Sequence, residues 1–180
     1  MAAAGWSLGP EQMTHANRSL PNQVRLLRTE SSHGIAITGR TVVALWQTET
    51  TIEAVRELAS VLAGHAAESG GAGLLQVIDE RATPPDGNTR VALAAMLKDN
   101  EARIVASAVV FEGSGFRASV VRSVVIGITM LTRPKCPHTV FASVNEGIAW
   151  LSGRMGDSDG ARHATGMQLA IDQLRSVISG

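Results

Sequence analysis

The feature that most constrains this chain is a pair of short apolar runs, each followed by a helix-length segment. Leu74–Ile78 and Ile104–Phe111 show no polar alternation. A strand that is apolar on both faces fits a parallel sheet covered on both sides. The segments between such strands must then be crossovers, and parallel crossovers are right-handed.

Around this centre the other elements follow in order. Val24–Thr29 reads as a first strand and Ser31-Ser32-His33-Gly34 as a turn. Ile35–Thr38 and Val42–Trp46 are β-branched runs separated by Gly39-Arg40, either one bent strand or two hairpin strands. Connections this short make the opening strands antiparallel. Thr50 and Glu53 have capping-box spacing ahead of Ile52, Val55, Leu58, Ala59, Leu62 and Ala63, a helical repeat. A second helix is expected over about Thr89–Lys98, after the loop Thr83-Pro84-Pro85-Asp86-Gly87-Asn88 with its two possible N-caps. Phe116–Thr132 is rich in β-branched residues, which suit a strand. Its length, about 17 residues, is long for a strand and ordinary for a helix. Thr139–Ala142 reads as a last short strand, and Ser143 with Glu146 opens a further helix.

The ends read differently. Residues 1–21 lack periodicity and are expected to be a flexible leader. The α/β domain is placed at residues 22–155, and residues 156–180 are expected to be a linker and a C-terminal helix over Ala164–Ile178. The 180 residues suit one domain with a full core.

Composition excludes several classes of function. The formal net charge is 0, with no run of Lys or Arg, so nothing attracts nucleic acid or anionic lipid globally. Aromatic residues make up only 3%, too few for a base-stacking platform. Cys136 is the single cysteine and has no partner for an internal disulfide, which leaves a cytoplasmic setting as the expectation. The most apolar stretch, Ala118–Leu131, is too short and too polar for a membrane span.

The stretches Gly39–Trp46, Leu74–Glu80, Val109–Arg122 and His138–Leu151, in this order, resemble the STAS domain of sulfate transporters and anti-sigma factor antagonists. They are similar in particular to a bacterial STAS-like group linked to lipid-binding CRAL-TRIO domains. The resemblance covers about Val24–Leu151. It implies a mixed α/β fold, β-β-α-β-α-β-α-β-α, of four to five strands with helices largely on one side. In the antagonist branch a Ser or Thr near the start of the second helix, in an Asp-Ser-x-Gly pattern, is phosphorylated by a partner kinase. The matching stretch here is Asp79–Thr89, with Thr83 and Thr89 but no serine. What the resemblance implies is a non-enzymatic regulatory module that binds a protein partner.

Several groups could carry chemistry. Ligands of open α/β sheets gather beyond the carboxyl ends of parallel strands. Asp79 and Glu80 stand at one such end, and Glu112 and Ser114 at another. Their carboxylates could hold Mg²⁺ or share a proton, as a hydrolase would require, or simply cap helices. Glu112-Gly113-Ser114-Gly115 lacks the pieces of a phosphate loop. Cys136-Pro137-His138 places a thiol near an imidazole without an orienting acid. No cofactor motif and no zinc-type ligand spacing is present. The switch loop of a partner-binding module would be Asp79, Glu80, Thr83, Asp86 and Thr89.

The third helix is apolar around nearly its whole circumference, with Val121, Val124, Val125, Ile128 and Leu131 as its expected interface. Such a helix needs cover on more than one side. The cover could be a second copy in a homodimer, the C-terminal helix, or a small apolar or lipid-like ligand.

Overall fold

The computed structural model describes residues 23–132, 135–156 and 160–179. The expected leader, residues 1–21, lies outside the described residues, as do residues 157–159 of the expected linker. Six strands form one mixed sheet in the order β1 to β6: β1 Val24–Thr29, β2 His33–Thr38, β3 Thr41–Trp46, β4 Ala72–Ile78, β5 Ile104–Phe111 and β6 His138–Phe141. The helices are α1 Ile52–Ser69, α2 Gly87–Asp99, α3 Gly115–Thr132, α4 Val144–Ser152 and α5 Gly160–Ile178.

The α/β class is as the sequence reads, but the count and the layers need correction. Among the described residues there are six strands, not four to five, because Ile35–Trp46 forms two strands. Thr38 pairs with Thr41 across Gly39-Arg40, and Gly39 takes φ of 52°. A two-residue hairpin turn requires such a left-handed residue, which glycine adopts without strain. β1–β2 and β2–β3 are antiparallel, and β3–β4, β4–β5 and β5–β6 are parallel.

Helices cover both faces rather than largely one. Each of α1, α2 and α3 joins a strand to the next parallel strand, and the sheet grows in one direction. Right-handed crossovers in one direction all fall on the same face. There Leu58, Leu62, Met96, Leu97 and Ile128 pack on Ile35, Val42, Trp46 and Leu74. The opposite face is closed by α4 and α5, which follow the last strand and obey no crossover rule. Ile148, Leu151, Met167, Ile171 and Leu174 pack on Ala36, Val43, Leu75, Ala108 and Val110.

The C-terminal helix is therefore an integral wall. It crosses β1, β2 and β3 while α4 crosses β4, β5 and β6. Gly34 permits this approach: a Cβ there would stand 2.7 Å from both Ile178 Cδ1 and Leu174 Cδ2. Because α3 packs on the other face, against α2, β5 and β6, α5 is not its cover.

Boundaries shift by small amounts. The N-cap of α1 is Thr51, whose hydroxyl accepts from the Ala54 backbone N–H at 3.2 Å, rather than Thr50. Helix α2 starts earlier than expected because Asp86 caps it. Ser143 caps α4 as its spacing indicates, accepting from the Glu146 backbone N–H.

Candidate functional site: a cavity between the sheet and two helices

Strand alternation sends Gln76 and Ile78 of β4 and Val109 of β5 toward the face covered by α1, α2 and α3. Trp46 at the end of β3 and His138 at the start of β6 join them. Leu93 and Leu97 of α2 and Val124, Val125 and Ile128 of α3 form the opposing wall. Between them lies a cavity of about 50 Å³, rimmed by Thr50 and Thr83-Pro84-Pro85. A water needs ~10–15 Å³ measured this way, so the space equals about four waters, the size of a small ring or short chain.

Polar groups are few and particular. The Trp46 indole N–H donates to Gln76 Oε1 at 3.2 Å. This fixes the amide of Gln76, itself only 5% exposed, and leaves its NH₂ end as the remaining polar group. On its other side Trp46 stacks on His33 with ring centroids 5.7 Å apart. Both ring nitrogens of His138 are buried without a hydrogen-bond partner among the described residues. Its Cα partner on β5, Ser107, is fully buried, and its hydroxyl is also unpaired. Buried polar groups are ordinarily satisfied, so two uncompensated neighbours mark this end of the cavity as unusual.

Burial holds the His138 imidazole below its ordinary pKa. A depressed histidine value means the folded chain binds fewer protons than the unfolded one. The stability so gained is present above about pH 6.5 and declines as the pH falls through and below that value. His138→Phe is expected to flatten the decline of the urea midpoint between about pH 7 and 5. The part due to His65, also lowered by burial, remains in the variant. Equal slopes for the two proteins would show that His138 carries none of this linkage.

The expected interface residues divide. Val124, Val125 and Ile128 wall the cavity. The side chains of Val121 and Leu131 lie outside the described residues.

The residues of the expected switch loop, on the β4–α2 connection and the first turn of α2, take different local roles. Thr83 lies at the cavity rim, its backbone N–H donating to the Thr48 carbonyl at 2.7 Å. Asp79 accepts from the Arg81 side chain at 2.8 Å, which holds its carboxyl below the usual range. Asp86 accepts from the Thr89 backbone N–H at 2.7 Å as the α2 cap. Thr89 is only 4% exposed.

The strand-end groups Glu80, Glu112 and Ser114 line a second cleft, polar and open, of about 540 Å³. There the Glu112 carboxylate is bound by the Arg175 guanidinium of α5. With Asp79 turned to Arg81 and Glu112 to Arg175, each of these carboxylates is engaged by a cation. Among the described residues no three His, Cys, Asp or Glu side chains gather as metal ligands. Burial pushes the Cys136 thiol above its usual range, the reverse of what a nucleophile needs, and His138 does not bond to it.

Trp46, Gln76, Leu93, Leu97 and Val109 were not singled out by the sequence, and His138 entered only beside the thiol. One signal was available. A glutamine inside a strand buried on both faces must find a partner there, and Gln76 is such a residue. Among the described residues no helix is long and apolar enough to cross a membrane. Protein-family models, curated proteins and solved structures compared with this chain yield no match.

Proposed function

We propose that this chain is a non-enzymatic binding module that takes up a small, mostly apolar molecule between the sheet and α2–α3. The observation that carries this reading is the cavity itself, walled by Trp46, Ile78, Leu93, Leu97, Val109 and Ile128. An apolar pocket with a few convergent polar groups is the usual form of a small-molecule site. The STAS-like reading, with its CRAL-TRIO association, is supported by the run of four parallel strands whose connecting helices share one face. Toluene serves as the probe. At ten times its Kd it is expected to stabilise the chain by ~1.4 kcal/mol, raising Tm by about 3–5 °C. Val124→Phe, which places a ring in the cavity, is expected to abolish that rise. No thermal shift in the parent chain with either toluene or phenol at any soluble concentration defeats the reading.

A second reading, a regulatory surface that docks a protein partner or another copy, is supported by the outer side of the same helix layer. Val91 of α2 is 68% exposed and Ile126 of α3 is 43% exposed, and these helices pack side by side. In the phosphorylation-tuned version the acceptor is Thr83, which is exposed where Thr89 is buried. Light scattering after size exclusion is expected to show a dimer that Ile126→Asp returns to monomer. A monomeric parent chain at high concentration removes the self-association form.

A further inference from the structure

Resting on the cavity reading, we propose that the ligand is uncharged and carries one oxygen, a hydroxyl or carbonyl, that lies against His138 and Gln76. Three observations converge on it. The walls are mostly aliphatic or aromatic, and among the described residues no Lys, Arg, Asp or Glu lines the space. An ionised ligand placed there loses its hydration with no counter-charge in return. The imidazole of His138 is held below its ordinary pKa by burial, which disfavours its charged form.

The polar groups at the cavity are in a state that calls for one such oxygen. With its pKa lowered by burial, His138 at neutral pH has one donor and one acceptor nitrogen, and neither has a partner among the described residues. Gln76 spends its carbonyl oxygen on Trp46, so its NH₂ is left to donate. A hydroxyl or carbonyl oxygen accepts from these donors, and a hydroxyl can also donate to the imidazole acceptor. A hydrocarbon of the same shape leaves the imidazole as unsatisfied as before, and an unsatisfied buried polar group is costly. The remaining surface of the ligand then packs on Leu93, Leu97, Val124 and Ile128.

The test compares phenol, toluene and benzoate by calorimetric titration of the full chain and of His138→Phe. Phenol is expected to bind the parent chain about tenfold more tightly than toluene, a factor equal to about 1.4 kcal/mol. Benzoate is expected not to bind. In His138→Phe the preference for phenol over toluene is expected to disappear. In the parent chain, phenol but not toluene is expected to move the nitrogen resonances of the His138 ring, a readout that survives if the variant misfolds. Equal affinities for phenol and toluene overturn this inference and leave the cavity reading standing. Benzoate binding as tightly as phenol overturns the requirement for a neutral ligand. Absence of binding by toluene and phenol alike overturns the cavity reading itself.

Discussion

Deleting residues 160–180 is expected to abolish cooperative folding. Met167, Ile171 and Leu174 of α5 are all 0% exposed. Burial of such side chains contributes ~1.5–3 kcal/mol each, about 5–9 kcal/mol together. Net stabilities of whole domains are only ~5–15 kcal/mol. The deletion also leaves Ala36, Val43 and Leu45 bare on the outer face of the sheet. The truncated chain should retain helical circular dichroism, lose its near-ultraviolet signal and unfold without a sigmoidal urea transition. A soluble truncated protein with a sharp transition at an unchanged midpoint would falsify the view that α5 is part of the core.

Trp46→Ala is the second large effect. The indole is 2% exposed, stacked on His33 and hydrogen-bonded to Gln76. Replacement by alanine is expected to cost ~3–5 kcal/mol in urea unfolding at neutral pH. Trp46→Phe keeps most of the packing and removes only the donor. It is expected to cost ~1–3 kcal/mol, the penalty of leaving the Gln76 oxygen buried and unpaired. The order of the two variants matters more than either value. If Trp46→Phe proves as damaging as Trp46→Ala, the hydrogen bond dominates and the ring packing is secondary.

Much of the fold is legible in the chain for local reasons. The long segment Gly115–Thr132 is a helix although its valines and isoleucines favour strands, because its length exceeds what one strand of this sheet can use. Ser143 sets α4 at the position its spacing indicates. The displacement of the α1 cap from Thr50 to Thr51 shows the limit of such signals. Adjacent threonines offer the same hydroxyl, and only the path of the chain out of β3 chooses between them.

What is less legible depends on packing between distant elements. The crossover rule places α1, α2 and α3 on one face, but it is silent on helices that follow the last strand. The apolar positions Met167, Ala170, Ile171 and Leu174 recur at helical spacing and show that α5 needs a surface. They do not show that the surface is β1–β3. The Glu112–Arg175 pair is hidden in the same way, since its members stand 63 positions apart. The cavity is further still from the sequence. A void is a difference between large packed volumes, and no single residue among Leu93, Val109 and Ile128 encodes it.

The strand order running from β1 to β6 without interruption has a consequence for how the molecule is made. As the chain leaves the ribosome, each new strand finds its partner already in place, so the sheet can lengthen at one edge during synthesis. The outer face of the first three strands has no such luck. It stays uncovered until α5 emerges, when Gln47 beside β3 meets Ser179 across 132 positions. The nascent protein thus carries an adhesive face until α5 is made. Its window of vulnerability to aggregation closes only once Gly160–Ile178 has been translated.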